Sequence, residues 1–280
     1  MKFQFSAFAD ESSNLFSGQI EALKRNGLDF LEIRNVDGVN VTKLTLAQAR
    51  EMKMKLQDQG LAVWSIGSPI GKIAIDGDFE EHLDLYKHTL ELAGEFGADR
   101  IRLFSFFMPK DKDPGQFKEL VLERMAIFAD MAKPFGVNAC HENEKGIYGD
   151  VASRCLEIHQ AVPELGGVFD PANFVQCGQD TLQAWEMLHS YINYMHIKDA
   201  VSDGRVVPPG TGEGNVAQLL KRYAAQGGKV LSLEPHLTQF VGLSSLEQEG
   251  EESVVGDLNF ASNEEAFDFA VKSLKQLLEE

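Results

Sequence analysis

The chain is short of the features that mark secreted, membrane-bound or nucleic-acid-binding proteins. Only three cysteines occur in 280 residues, Cys140, Cys155 and Cys177, and no two of them form a CxxC pair. That excludes a disulfide framework and a thiolate zinc site, and a chain of this size buries enough apolar surface to fold without either. There is no run of about 18 apolar residues, so no segment reads as a membrane span. The opening MKFQFSAFADE lacks the pattern of a secretory leader, which makes the reducing cytoplasm the expected location. Basic residues are scarce: 26 Lys and Arg stand against 43 Asp and Glu, a formal charge of −17. Such a surface repels phosphate backbones, so nucleic acid is not an expected partner. The plain consequence of the charge is solubility. No GxGxxG follows the first apolar run, no low-complexity segment appears, and no residue motif recurs at a fixed period.

What is present is a regular alternation of short apolar runs with longer amphipathic ones. Strands are expected over 3–8, 28–34, 61–67, 99–107, 137–142, 166–170, 192–198 and 229–235. Helices are expected over 15–27, 44–60, 79–97, 117–136, 151–162, 181–190, 216–228 and 263–280. Four helices run through a glycine straight into a strand, in NGLDF, QGLAV, FGADR and FGVNA. Strand–helix alternation builds parallel sheet, and eight units close into a single (β/α)8 TIM barrel spanning 1–280. The longest irregular stretch, about 236–262, follows the eighth strand and reads as a lid or binding loop.

Four successive strands end on chemistry rather than on core residues. VNACHENE delivers Glu142, LGGVFDPANF delivers Asp170, INYMHIKDA delivers His196, and GKVLSLEPHL delivers Glu234. Alternation along each strand puts Cys140 with Glu142, Tyr194 with His196 and Lys198, and Ser232 with Glu234 on the axis-facing side. In a barrel these ends meet at the mouth, where activity resides. Three carboxylates and one imidazole form a hard-cation set suited to Mn²⁺, Mg²⁺, Co²⁺ or Zn²⁺. Any one acid alone reads equally well as a helix cap or a loop charge. Four in matching registers favour a shared site.

The motifs HENE, FDPANF, MHIKD and SLEPH resemble the xylose isomerase-like TIM barrels, in particular the sugar phosphate isomerase/epimerase branch that includes ketose 3-epimerases. The resemblance runs through all eight units. It implies one divalent metal, Mn²⁺ first, held by Glu142, Asp170, His196 and Glu234. It also implies a sugar or sugar phosphate as substrate, with Glu142 and Glu234 as the acid/base pair on its two faces. A metal on adjacent carbonyl and hydroxyl oxygens stabilises a cis-enediolate. Two carboxylates then permit epimerisation, or isomerisation if the proton returns to the neighbouring carbon. A homodimer or homotetramer is the assembly such folds imply. Two positions depart from the epimerase pattern. Asn173 stands where those enzymes carry histidine, and Lys198 and Asp199 follow His196 where they carry arginine, with Arg205 coming later. Alternatives on the same scaffold are an inosose dehydratase-like lyase, an endonuclease IV type hydrolase, and a non-catalytic sugar-binding barrel.

Lys198, His236, Asn173, Arg205 and Arg102 are the substrate-binding candidates. For Arg102 an inward pairing with Glu32 is the simpler expectation. His141 falls on the helix-facing register and reads as a packing residue, and Glu144 competes with Glu142 only if the strand bulges. PPGTGEG, 208–214, could offer backbone amides to an anion. Trp64, Phe104, Phe106 and Phe107 could wall a sugar or simply pack. His82, His88, His159 and His189 lie in expected helices and read as surface or packing residues.

Overall fold

The computed structural model of the chain describes residues 3–243, 256 and 258–279. Eight strands form a closed barrel: β1 Gln4–Ala7, β2 Phe30–Ile33, β3 Ala62–Gly67, β4 Arg100–Leu103, β5 Asn138–Glu142, β6 Gly166–Phe169, β7 Ile192–Ile197 and β8 Val230–Leu233. Each pairs in parallel with its neighbour in the chain, and β1 closes on β8 with Ser6 opposite Ser232. Around them lie α1 Phe16–Arg25, α2 Leu46–Gln57, α3 Phe79–Phe96, α4 Lys118–Ala132, α5 Ala152–Ala161, α6 Pro171–Gln176, α7 Thr181–Leu188, α8 Val216–Ala225 and α9 Asn263–Glu279. No helix among the described residues is long and apolar enough to cross a membrane.

Local chemistry explains the boundaries. Thr45 caps α2 in a reciprocal pair with Gln48. The four glycines between helix and strand, Gly27, Gly60, Gly97 and Gly136, all adopt φ between 60° and 75°, the left-handed turn that glycine supplies without strain. The long fourth helix ends at Ala132, and Pro134 continues only as a 3-10 turn. Three features depart from the expected pattern. The fourth strand stops at Leu103 instead of 107, because the chain leaves the barrel and Phe106 turns through φ 66°. Asp170 and Pro171 start the extra short helix α6. Two-residue ribbons, Asn35–Val36 with Val39–Asn40 and Asp199–Ala200 with Val206–Val207, extend β2 and β7 at the mouth. Of the stretch 236–262, residues 244–255 and 257 lie outside the described residues.

Apolar side chains on the outer face of the strands pack on the helices in one large core. Inside the barrel a small apolar layer of Cys140, Val168, Tyr194 and Val230 forms the floor beneath the polar mouth. Trp64 belongs to that lower end: it stacks on Arg100 at 3.6 Å and packs on Phe30 and Tyr194. Phe106 is core between Phe79 and Phe128, and Phe107 bridges Ala74 and Ile147. Of the four aromatics considered as a sugar wall, only Phe104 stands at the mouth, 4.8 Å from the Arg102 guanidinium and 4.4 Å from Lys72.

The loop after β3 is pinned where Gly71 crosses Phe104. Gly71 has φ 88°, and a Cβ there would lie 1.9 Å from the Phe104 carbonyl oxygen. Its N–H donates to His82 Nε2 at 2.8 Å. Gly71→Ala is expected to cost about 2–4 kcal/mol, read as a lower urea midpoint. An unchanged midpoint would show that the loop does not approach Phe104 in this way.

Candidate metal centre

The strand ends bring Glu142, Asp170, His196 and Glu234 together, with one ligand atom from each inside a 4.8 Å cluster, all four side chains buried. β5 presents Glu142 on the inward register after Cys140, and β7 presents His196 after Tyr194, as alternation requires. His196 Nδ1 lies 2.8 Å from Glu142 Oε1 and 3.4 Å from Glu234 Oε2. On its far side Nε2 meets Glu32 Oε2 at 3.2 Å. A carboxylate behind a ligating imidazole fixes the ring and its tautomer. Tyr194 and Ser232 donate to the same Glu32 and hold it in turn.

Asp170 does two jobs with two oxygens. Oδ1 caps α6 by accepting from the Asn173 N–H at 2.9 Å, while Oδ2 faces Lys198 Nζ at 3.0 Å. The cap and the cluster member are one residue. Asn143 braces the pair by exchanging two 2.9 Å hydrogen bonds with the Asp170 backbone. Asn173 Nδ2 reaches the Asn143 carbonyl at 2.9 Å and Glu142 Oε1 at 3.5 Å.

Cations surround the cluster. Arg102 NH1 lies 3.2 Å from Glu142 and 3.6 Å from Glu234. Its partners are therefore those two acids, and the simpler expectation of an Arg102–Glu32 ion pair gives way: Glu32 is taken by His196, Tyr194 and Ser232. Lys198 bridges Asp170 at 3.0 Å and Glu234 at 3.3 Å. His236 Nε2 stands 3.5 Å from Glu234 and 3.4 Å from Glu11. Arg205 lies apart, on the exposed turn after β7, paired with Asp203 at 2.9 Å. Glu144 turns away to Lys72 at 3.1 Å, so the strand delivers Glu142 to the cluster. His141 faces outward, bonded to Ser105 at 3.0 Å and edge-on to His159 of α5. The amides of the 208–214 loop do grip an anion, but it is the protein's own Asp199, which accepts from Gly210, Gly212 and Gly214.

Residues just past the ends of β1 and β2 complete the mouth and were not among the sequence candidates. Arg34 is buried between the Phe8 and Phe240 rings at 4.4 and 4.8 Å. It forks onto Asp10, meets Glu11 at 3.1 Å and donates to Glu234 Oε1 at 2.8 Å. Phe8 closes edge-on over the His196 ring.

The donor set suits a divalent ion. Six buried carboxylates (Asp10, Glu11, Glu32, Glu142, Asp170, Glu234) face three buried cations (Arg34, Arg102, Lys198). Glu142 Oε2 and Asp170 Oδ2 are buried without a hydrogen bond, and the cations nearest them make ion pairs only. Crowding shows in the protonation. Burial, only partly offset by Lys198, pushes the Asp170 carboxyl up to about 7. Burial likewise pushes Glu11 up to about 8, despite Arg34. Burial alone would raise Glu234, but Lys198 and His236 hold it well below the carboxylate range. A metal ligand must lose its proton. The His196 imidazole, buried but set between Glu142 and Glu32, is likewise raised well above its ordinary value, so Mn²⁺ affinity of the metal-free protein is expected to rise with pH through the neutral range, up to tenfold per pH unit for each ligand proton released. Calorimetry in buffers of different ionisation enthalpy reads the proton released. A pH-independent affinity from 5.5 to about 8 would contradict the assignment of Asp170 as a ligand.

Fold and mouth together define a (β/α)8 barrel with a buried acidic–imidazole centre at the C-terminal ends of its strands. The chain belongs to the xylose isomerase-like TIM barrel family, whose model matches residues 20–260. Solved structures share the fold along the whole chain. The probable 3-DHS dehydratase AsbF of Bacillus anthracis superposes with a TM-score of 0.74 at 17% identity, covering 99% of each chain. The IOLI protein with a bound zinc atom gives 0.74 at 18% identity, over 99% of this chain and 98% of its own. The 3-keto-D-glucoside 4-epimerase YcjR of E. coli gives 0.70 at 16% identity, over 100% of both. No curated protein matches the sequence significantly.

Proposed function

We propose that the protein is a divalent-metal-dependent sugar isomerase or epimerase, with Glu142 and Glu234 exchanging a proton with the substrate through a cis-enediolate. The observation that carries this reading is the convergence of Glu142, Asp170, His196 and Glu234 within 4.8 Å. Those four residues would hold the ion, Mn²⁺ first, which when bound supplies Lewis-acid polarisation of the substrate's adjacent oxygens.

The rest is the work of the chain's own side chains. Arg102 touches both glutamates and ties their carboxylates to one frame. His196 and Asn173 orient Glu142, while Arg34 and Lys198 orient Glu234. A general base must be placed before its pKa matters, and these contacts place both. Removal of a C–H proton by one carboxylate and return by the other inverts the carbon. Return to the neighbouring carbon moves the carbonyl. Phe8 and Phe104 are buried against the His196 ring and the Arg102 guanidinium, and such apolar surroundings strengthen charge interactions beside them.

Charge balance favours a sugar without phosphate. The three fully buried cations are each committed to carboxylates at 2.8–3.3 Å. None of the three is left over for a phosphate. The sequence supplies no Lys or Arg between Lys229 and Lys272, which includes the whole stretch after β8. A phosphate dianion would enter that field uncompensated.

Elimination on the same site is the second reading. The Lys198 ammonium beside Asp170 and Glu234 is placed to hydrogen-bond a departing β-hydroxyl. One experiment addresses both. Mn²⁺-loaded protein is incubated in D₂O with a panel of ketopentoses, ketohexoses and their phosphates, followed by proton NMR. The expected result is loss of a C–H signal next to the carbonyl of an unphosphorylated ketose, with epimer or aldose appearing. An enone product would favour elimination, and no exchange with any member would sink the reading.

A further inference from the structure

Lys198 is buried against the cluster, and its position is unusual. A lysine that recognises substrate is expected to direct its ammonium into the open mouth. Here Nζ is turned onto two members of the four-residue set, 3.0 Å from Asp170 Oδ2 and 3.3 Å from Glu234 Oε2. The side chain is 4% exposed, so the charge is not shared with water. Asp170 Oδ2 accepts no hydrogen bond, and its partner oxygen is occupied by the α6 cap. Glu234 Oε1 is likewise occupied by Arg34. Lys198 thus contacts Asp170 Oδ2, the oxygen without a hydrogen bond, and Glu234 Oε2, the oxygen turned away from Arg34.

We propose that Lys198 is a tethered counter-cation that competes with the divalent ion for Asp170 Oδ2 and Glu234 Oε2, and so keeps the ion exchangeable. This rests on the reading of the cluster as a metal centre. Before the ion arrives, the ammonium offsets part of the mutual repulsion of the buried carboxylates and holds Asp170 and Glu234 in place. After it arrives, two cations share one pair of oxygens, and affinity is lower than the ligand set alone would give. The flexible four-carbon stem lets Nζ withdraw by bond rotation while β7 stays fixed, which a rigid guanidinium fork does less readily. The withdrawn ammonium stays beside the centre, where substrate oxygens bind.

The test is calorimetric titration of Mn²⁺ into metal-free wild type, Lys198→Met and Lys198→Arg, with no sugar present. Lys198→Met is expected to bind Mn²⁺ at least tenfold tighter, and Lys198→Arg to stay within about threefold of wild type, because the charge is kept. A residue with a merely structural role would weaken binding when removed, so a gain in affinity shows that the Lys198 ammonium opposes the ion. Metal-free Lys198→Met is also expected to melt lower than wild type, and the Mn²⁺-loaded variant to recover. Unchanged or weaker binding by Lys198→Met, with wild type binding normally, overturns the proposal and leaves the metal centre standing. Absence of binding in all three overturns both. If Lys198→Met folds only with Mn²⁺ present, the rate of Mn²⁺ loss to EDTA replaces the titration. Slower loss than wild type supports the competition and equal or faster loss refutes it.

Discussion

Glu142→Gln and Glu234→Gln are each expected to lower exchange of the substrate C–H proton with solvent by about 10²–10⁴-fold. Glutamine keeps the size and one oxygen, so the backbone and the mouth stay as they are. It cannot take a proton. At Glu142 the new amide must also face His196 Nδ1 at 2.8 Å and Arg102 at 3.2 Å, a site built for an acceptor. At Glu234 it must face Lys198 and Arg34, both donors. Because each glutamate also belongs to the metal set, metal affinity is measured beside exchange in both variants. Retained metal with lost exchange isolates the proton step. Full exchange in both variants would remove the mechanism.

Arg34→Met is expected to lower stability by about 3–5 kcal/mol, the cost of breaking a buried pair and leaving the partners' charge behind. One guanidinium serves Asp10, Glu11 and Glu234 and fills the gap between Phe8 and Phe240. Methionine replaces the packing and none of the charge. Lysine is not expected to rescue, since an ammonium cannot fork onto Asp10 or lie flat between two rings. Urea denaturation at fixed pH and salt checks both variants. A loss under about 1 kcal/mol would mean that the acids around Arg34 find compensation elsewhere, and that Arg34 does not hold Glu234.

The sequence carried the barrel and the four-residue set because both are written locally. Glycine between helix and strand, period-two alternation and a polar residue at each strand end need no partner to be read. Glu142 over Glu144 followed from register alone, as did the outward turn of His141. What escaped depends on contacts distant in sequence. Nothing near Arg34 announces Glu234, 200 residues on, although LEIR places it on the register of Glu32. Asp10 and Glu11 follow the first strand with no pattern that ties them to Arg34. The anion of the 208–214 amides proved to be Asp199, a pairing that only the folded turn creates. Asp170 and Pro171 held a legible signal for α6, an N-cap followed by proline at the first helical position. The end of the strand took precedence in the reading. Trp64 stayed open between wall and packing for a simpler reason: alternation fixes which side of the sheet a residue faces, and its height along the barrel decides whether it meets the mouth or the floor.

The claim on which the rest depends is that Glu142, Asp170, His196 and Glu234 hold one divalent ion. Elemental mass spectrometry of the purified protein and of Asp170→Asn, each also after incubation with Mn²⁺ and gel filtration, tests it directly. The account predicts about one divalent ion per wild-type chain and little or none in the variant. No ion in the wild type even after added Mn²⁺, or equal loading in Asp170→Asn, would contradict it.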